Sequence, residues 1–231
     1  MHASKKLDKV DRNGSITLRF TDGTTHECDI LVGADGIHSA FAVASNDSES
    51  KSEPLDRWER IVGVDEIKQL FQEYPSPLNK AVDELLCNQP EHQALYLWEH
   101  PKAHTYVSGP MCVTGDAAHS TTPWQGSGGG MSIEDSLILS ALLGRAKTPT
   151  EALTALKVYD QVRRPRTQRI VESSRITGNM LIGRSEETKL VPKMFKSFLS
   201  RWDFIIDIDM EKHRDEALRM MEAGLKEEST M

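Results

Sequence analysis

The stretch of sequence that decides the fold is MCVTGDAAHSTTPWQGSGGGMSIED, residues 111–135. Residues 111–114 are typical of a strand, a Gly-Asp turn follows, and a glycine-rich loop then leads into a helix. Glycines let a ligand approach the backbone, and the first N–H groups of a helix lack intrahelical partners. The pattern therefore predicts a site that accepts an anionic group, in which Asp116 receives hydrogen bonds from ligand hydroxyl groups.

Other glycine-rich sites fit this stretch less well. A P-loop needs lysine after its last glycine, and Met131 stands there. A nucleophile elbow around Ser127 needs glycine at the position of Gln125. A triad of Asp116, His119 and Ser127 would indicate a hydrolase, although a flexible serine-containing loop is the simpler interpretation. The alternative for His119 is a capping or structural role, and the alternative for the whole stretch is a glycine-rich turn without a ligand.

A second stretch, DILVGADGIHS at residues 29–39, also places a glycine-rich loop after an apolar strand. Its apolar run lacks alternation, which is typical of a strand covered on both faces in α/β proteins. Before it, residues 16–20 alternate apolar and polar side chains and lead into Asp22-Gly23, which predicts a hairpin that returns over 24–27.

Hydrophobic spacing predicts the remaining elements. They are a polar surface loop over 44–56, helices over 64–73 and 78–87, a strand over 94–98, and a mostly helical region over 150–182. Pro165 is expected to break or kink the last of these. The helix after the glycine loop is expected to carry its apolar contacts on one face, made by Ile133, Leu137, Ala141 and Gly144.

The composition restricts the class of protein. The 231 residues include 28 Lys+Arg and 35 Asp+Glu, a net charge of −7 that argues against nucleic acid or an anionic membrane as the main partner. No apolar run reaches the ~20 residues of a transmembrane segment. Cys28, Cys87 and Cys112 form no C-x-x-C pair, which favours three buried thiols and a reducing, cytoplasmic setting.

Three further groups of residues are given structural interpretations. Pro101 disfavours a shared helical face for His100 and His104, so no metal site is predicted. The four arginines within 163–169 are expected on a solvated helix face with local ion pairs. The apolar residues within 202–206 are expected in the core.

The two glycine-containing stretches together resemble a known family. Residues 115–135 resemble the Gly-Asp signature of FAD-dependent aromatic monooxygenases, the group that includes salicylate hydroxylase-like enzymes. Residues 29–39 resemble the Asp-Gly signature of the same family, and the two occur in the family's order. The sequence YDQVRRPR at 159–166 resembles the helix that follows in these enzymes. The resemblance extends over about residues 15–180.

The resemblance implies how the Gly-Asp stretch would hold FAD. Asp116 would hydrogen-bond the ribityl chain. The loop from Gly126 to Gly130 would lie along the pyrimidine edge of the isoalloxazine ring, with Gly128 and Gly129 donating backbone N–H groups. These donors and the positive end of the helix would stabilise the negative charge of the reduced flavin.

Three other positions take their roles from the same resemblance. Pro123 would line the ring pocket near the point where oxygen reacts. Asp35 and Gly36 would lie at the pyrophosphate side of FAD, in a region also linked to the use of NAD(P)H. The implied cofactors are therefore FAD and NAD(P)H, and the implied partner is a small aromatic substrate.

The sequence departs from the family pattern in its first part. No G-x-G-x-x-G precedes a helix, although the family binds the ADP part of FAD on such a segment. Ala42 stands where the Asp-Gly signature usually continues to an arginine. We therefore expect a shortened family member that binds FAD weakly and is poorly soluble alone. We also expect a dinucleotide-binding segment to be encoded before Met1.

The predicted fold class is α/β, a partial FAD/NAD(P)-binding fold with a mixed sheet, a reduced substrate layer and C-terminal helices. The expected parts are strands and the Asp-Gly motif at 1–43, a substrate-domain remnant at 44–98, the Gly-Asp motif and helices at 99–182, and a helical tail at 183–231. The expected function is FAD-dependent monooxygenation of a small aromatic or polyketide-like metabolite with NAD(P)H and O2. The alternative is an inactive remnant that acts as an interaction partner.

Overall fold

The computed structural model describes residues 5–13, 15–38, 58–182 and 198–228. The strands are β1 (Leu7–Asn13), β2 (Ser15–Phe20), β3 (Thr25–Cys28), β4 (Leu31–Gly33), β5 (Glu59–Gly63), β6 (Glu91–Leu95), β7 (Val107–Ser108) and β8 (Met111–Val113). The helices are α1 (Val64–Phe71), α2 (Ser76–Leu86), α3 (Asp116–His119), α4 (Gly128–Leu143), α5 (Pro149–Leu181), α6 (Asp203–Ile206) and α7 (Met210–Glu228).

The chain divides into two compact units, one made of Met1–Ser45 and Glu99–Met231 and the other of Asn46–Trp98. Across the described ranges, none of the helices combines the length and the apolar character that a membrane crossing requires. The polar loop predicted over 44–56 and position 42 lie outside the described residues.

The first unit contains two three-stranded sheets. One is the antiparallel meander β1-β2-β3, and Gly23, at φ 81°, makes the predicted turn between β2 and β3. The other has the order β4-β8-β7, in which β4 is parallel to β8 and β7 is antiparallel to it. The mixed sheet of the predicted α/β fold class is therefore confirmed.

The prediction that β4 is covered on both faces is wrong for the described part of the chain. Gly33 is buried, but the Val32 side chain is 37% exposed. Successive side chains of a strand point to opposite faces, and only one face of this three-residue strand is packed here.

The predicted apolar face of α4 is also wrong. Ile133 is 73% exposed, whereas Met131, Asp135, Ile138 and Leu142 are buried. These four residues follow the i, i+4, i+7, i+11 spacing of one helical face. Because α4 has apolar side chains all around, hydrophobicity alone did not identify its buried face. The charged residue Asp135 lies within that buried face.

The main core of the first unit lies where α4, α5 and α7 pack together. Helix α5 continues for 33 residues through Pro165, so of the predicted break or kink the break is wrong. Packing against α4 and α7 compensates for the backbone hydrogen bond that the proline cannot donate. The buried side chains of this core include Ile138, Leu142, Ala155, Leu156, Tyr159, Ala217 and Met221.

A buried carboxylate connects these helices to the end of β8. Asp135 is 0% exposed and accepts hydrogen bonds from the Gly115 backbone N–H at 3.0 Å, from His119 Nε2 at 2.6 Å and from Arg163 Nε at 2.8 Å. Burial raises the pKa of this carboxyl, but the His119 hydrogen bond and the Arg163 charge outweigh burial, so the pKa lies below its ordinary value.

The basic stretch of α5 differs from its predicted solvated face. Arg163 is 0% exposed, and Arg166 is largely buried in a two-pronged pair with Glu134 at 2.8 Å. Only Arg164, paired with Asp160 at 3.0 Å, matches the predicted local ion pair of a helix surface. Arg163 and Arg166 lie inward because α4 carries two adjacent acids toward α5, whereas Arg169 is exposed as predicted.

Two smaller expectations change as well. Cys112 is buried, but Cys28 and Cys87 are only half-buried, because they lie at the margins of small sheet and helix layers. Of the apolar residues in the segment 202–206, Ile206 is exposed and the other three are partly buried, so this segment contributes only part of its surface to the core.

The second unit is described from residue 58 to residue 98. Strands β5 and β6 form an antiparallel pair, and α1 and α2 pack beside them around a small core of Val62, Ile67 and Val82. The two predicted helices are present, and Pro77 lies in the first turn of α2, where proline is tolerated. Strand β6 begins at Glu91 and ends at Leu95, so it begins and ends three residues earlier than the strand predicted over 94–98.

We expect Asp135→Asn to lower the free energy of unfolding by about 3 kcal/mol, because the buried Arg163 guanidinium loses a charged partner. Urea denaturation followed by circular dichroism would measure this. The control Asp215→Asn, which removes an exposed carboxylate, should change stability by less than about 0.5 kcal/mol. Equal effects of the two substitutions would contradict the role of the buried pair.

The contribution of Asp135 should depend on pH in a defined direction. Because its pKa is lowered in the folded chain, the carboxylate stabilises the fold above the ordinary aspartate pKa. That stabilisation is lost as the pH falls through the lowered value. The stability difference between the unsubstituted chain and Asp135→Asn should thus be constant near neutral pH and shrink in acid. A difference that persists at all pH values would refute this linkage.

A close contact positions the glycine-rich loop on α5. A Cβ added to Gly178 would lie 2.3 Å from Trp124 Nε1. We expect Gly178→Ala to destabilise the chain by about 1–3 kcal/mol through this overlap. Gly129→Ala is the matched control, because its added Cβ would meet nothing within 4 Å. Similar urea midpoints for both variants would show that Trp124 does not need this contact.

Candidate cofactor site

The loops after β4 and β8 lie at the same edge of the sheet. Gly33 pairs with Val113 in parallel register, and the Thr114 N–H donates to the Gly33 carbonyl at 2.9 Å. The loops that begin with Asp35 and Asp116 therefore leave neighbouring strand ends. In open α/β sheets, ligands bind beyond the carboxyl ends of such strands.

The turn after β8 requires glycine. Gly115 is buried at φ +60°, and a Cβ there would lie 3.0 Å from Ser132 Oγ. The turn thus packs closely on α4, while its backbone N–H is held by Asp135. This arrangement leaves Asp116, the first residue of α3, exposed at the sheet edge.

The glycine-rich loop lies beside Asp116. Gly126, at φ +64°, ends a 3-10 turn at Pro123–Gln125, and α4 begins two residues later. A Cβ on Gly128 would lie 3.9 Å from Asp116 Oδ1, so the carboxylate stands next to the helix start. Gly129 and Gly130 are exposed, and added Cβ atoms there would meet open space.

Residues far along the chain support this loop. The Gln125 side chain is buried and donates to the Arg201 carbonyl at 3.1 Å. The Gln125 carbonyl accepts from Trp202 Nε1 at 3.2 Å and from Ser127 Oγ at 3.1 Å. Arg201 in turn donates from Nε to Thr177 Oγ1 on α5 at 3.0 Å. Sequence reasoning missed the contacts of Gln125 with Arg201 and Trp202, since separations of more than 70 residues carry no local signal.

The Asp-Gly loop is connected to the Gly-Asp loop through one histidine. Gly36, at φ +78°, opens a 3-10 turn, and His100 Nε2 lies 3.2 Å from the carbonyl of Ile37 in that turn. The His100 backbone N–H donates to the Ser120 carbonyl at 3.0 Å, beyond α3. His100 therefore has a structural position between the two loops, a role its sequence context did not indicate.

The hydrolase alternative is not supported by the geometry. His119 Nε2 is bonded to Asp135 rather than to Asp116, and Ser127 Oγ donates to the Gln125 carbonyl. The bond to Asp135 gives His119 a structural role. Within the described ranges, no group of three or more His, Cys, Asp or Glu residues is arranged to hold a metal ion.

The edge residues fit a cofactor that carries hydroxyl groups and an electron-rich ring. The exposed Asp116 carboxylate can accept hydrogen bonds from hydroxyls. Gly128 to Gly130 present open backbone at the start of a 16-residue helix, whose first N–H groups and dipole favour a developing negative charge. FAD has both features, so the residues present fit this group.

Comparison with known proteins gives consistent matches. Residues 78–174 match the FAD binding domain family. An FAD-dependent monooxygenase of Phaeosphaeria nodorum is 35% identical over 57% of this chain and 27% of its own length. One from Aspergillus niger is 31% identical over 68% of this chain and 39% of its own length. The 6-methylsalicylate 1-monooxygenase of Aspergillus terreus is 25% identical over 99% of this chain and 66% of its own length.

The fold has a close counterpart among solved structures. A salicylate hydroxylase in complex with substrate superposes with a TM-score of 0.77 at 22% identity, covering 93% of this chain and 70% of that one. The chain spans 27% of the length of the Phaeosphaeria nodorum relative and 39% of the length of the Aspergillus niger relative. The chain is therefore similar to FAD-dependent monooxygenases, salicylate hydroxylase among them, and its residues 78–174 match the FAD binding domain family.

Proposed function

We propose that this chain binds FAD at the shared edge of β4 and β8 and serves FAD-dependent monooxygenation of a small aromatic or polyketide-like substrate. The observation that carries the proposal is the parallel pairing of β4 with β8, which brings the Asp-Gly and Gly-Asp loops to one edge. There, the Asp116 carboxylate stands beside the open glycine start of α4.

Each edge residue has a role in this proposal. Asp116 accepts hydrogen bonds from the ribityl hydroxyls, while the N–H groups of Gly128 and Gly129 donate to the pyrimidine edge of the flavin. Asp35 and Gly36 lie toward the pyrophosphate. Pro123 lies beside the flavin ring. Gly126 lies at the turn that leads into α4.

The chain's own contribution to catalysis is positioning and exclusion of water. When bound, FAD supplies the redox chemistry that transfers one oxygen atom of O2 to the substrate at the expense of NAD(P)H. The N-terminal end of α4 would stabilise negative charge at the flavin, because its first N–H groups have no intrahelical partners. The contacts of Gln125 with Arg201 and Trp202 keep this end in place.

The substrate class is proposed from the relatives. They include a 6-methylsalicylate 1-monooxygenase and a salicylate hydroxylase, and both names contain a phenolic acid. A small aromatic acid from secondary metabolism is the substrate class these names favour. We assign the FAD-binding part to 1–43 and 99–182, a shortened substrate domain to 44–98, and a helical tail to 183–231.

The first test of this proposal is the carboxylate. Asp116→Asn is expected to weaken FAD binding by about 1–3 kcal/mol, because charge-assisted hydrogen bonds to the ribityl hydroxyls become neutral ones. Quenching of flavin fluorescence during a titration would measure the affinity. The control Asp215→Asn removes an equal charge from an exposed position of α7 and should leave the affinity unchanged. Identical titrations for both variants would exclude Asp116 as a ligand.

The second test separates binding from folding. Gly129→Ala should keep the unfolding midpoint, since its Cβ meets nothing in the chain, yet lower FAD affinity at least about tenfold by blocking the approach to the backbone. An FAD affinity that survives the substitution would place the ring elsewhere.

Turnover is tested directly by NAD(P)H oxidation. The FAD-loaded chain should oxidise NAD(P)H faster when salicylate or 6-methylsalicylate is added, and a hydroxylated product should appear in the chromatogram. A chain that binds FAD but gives no product with any aromatic acid would be a binding remnant rather than an enzyme.

A further inference from the structure

We propose that the first unit carries a second binding site, separate from the proposed cofactor edge, for a small hydroxylated anion. The site is a cavity of about 450 Å³ between the segment 100–106, α3 and α5. Its volume is in the usual range of small-molecule pockets. None of the glycines and aspartates assigned to FAD lines it.

The walls of this cavity are predominantly basic. Lys102, Arg164, Arg169 and Arg175 line it, against one acid, Glu172. Although the whole chain has a net charge of −7, these cations make the electrostatic potential in the cavity positive, and a positive potential attracts anions.

Two of these cations already have carboxylate partners. Arg164 pairs with Asp160 at 3.0 Å, and Arg175 pairs with Glu99 at 2.8 Å and with Glu172. The other two have no carboxylate within ion-pair distance among the described residues. Lys102 and Arg169 are therefore the groups available to an anionic ligand, with the Arg169 guanidinium held 4.0 Å from the centre of the Phe204 ring.

A buried, half-satisfied imidazole also lines the cavity. His119 is 2% exposed, and its Nε2 is bonded to Asp135. Its Nδ1 is buried and has no hydrogen-bond partner in the described part of the chain. Because Nε2 is taken by Asp135, which does not line the cavity, Nδ1 is the ring nitrogen that a ligand in this cavity could satisfy.

The hydrogen bond to Asp135 fixes the chemistry of that nitrogen. In a neutral imidazole whose Nε2 donates to the carboxylate, Nδ1 is an acceptor, and a ligand donor satisfies it. A hydroxyl group supplies this donor, while a carboxylate or phosphate on the same molecule meets Lys102 and Arg169. The flat apolar surfaces of Pro101, Tyr106 and Pro165 complete the site. The ligand class is thus a small hydroxy acid or hydroxylated phosphate ester.

Isothermal titration calorimetry at low salt tests this assignment with three defined probes. Malate carries a hydroxyl and carboxylates, succinate is the same diacid without the hydroxyl, and glycerol 3-phosphate carries hydroxyls and a phosphate. We expect malate or glycerol 3-phosphate to bind with one site per chain. The probe that binds more tightly shows whether the site prefers a carboxylate or a phosphate. Succinate should bind at least about fivefold more weakly than malate. Failure of both hydroxylated probes to bind would overturn the proposal, and equal affinities for malate and succinate would remove His119 from it.

Charge-matched variants locate the binding. Arg169→Gln and Lys102→Gln should each weaken the tighter probe at least about fivefold. Arg145→Gln removes the same charge from an exposed position outside the cavity and should not change the affinity. A loss in Arg145→Gln as large as in Arg169→Gln would show unspecific attraction to surface charge instead of a site. Circular dichroism of each variant confirms that the fold is kept, so that any loss belongs to the cavity.

Discussion

The buried carboxylate of Asp135 is the interaction on which the first unit depends. One side chain with no exposed surface connects the turn after β8, the short helix α3 and the long helix α5. A buried charge is tolerable only when its partners are placed well, and here a backbone amide, an imidazole and a guanidinium share it. Because one of those partners is the Gly115 amide, the same carboxylate that holds the core also fixes the turn from which Asp116 projects.

The two candidate sites lie on either side of this cluster. On one side, the Gly115 turn and the start of α4 present Asp116 and open glycine backbone at the sheet edge. On the other, His119 uses one ring nitrogen for Asp135 and leaves the second buried at the wall of a basic cavity. His100 bonds to both the Asp-Gly turn and the end of α3 and also lines the cavity. The Asp135 carboxylate therefore supports both sites, although it does not line the cavity itself.

Much of this arrangement could be predicted from local patterns, and the reasons for the exceptions are physical. The β2–β3 hairpin, β8 and the glycine-rich entry to α4 follow from alternation, turn residues and strand-to-helix transitions. The buried face of α4 could not be found by hydrophobicity, because its central residue is Asp135 and the exposed Ile133 is more apolar. The burial of Arg163 could not be predicted either, because an arginine is buried only beside a charged partner, and Asp135 lies 28 residues earlier in the chain. The support of Gln125 by Arg201 and Trp202 depends on contacts between distant parts of the chain.

Hydrogen–deuterium exchange with and without FAD tests the central claim most directly, namely that the chain binds FAD at the edge of β4 and β8. The claim predicts that FAD slows the exchange of backbone amides in both loops together, over residues 34–37 and 126–131, because ligand contacts replace solvent there. The segments around the basic cavity, residues 100–106 and 164–175, should exchange at the same rate in both states. Protection confined to those cavity segments, with both loops unchanged, would contradict the account.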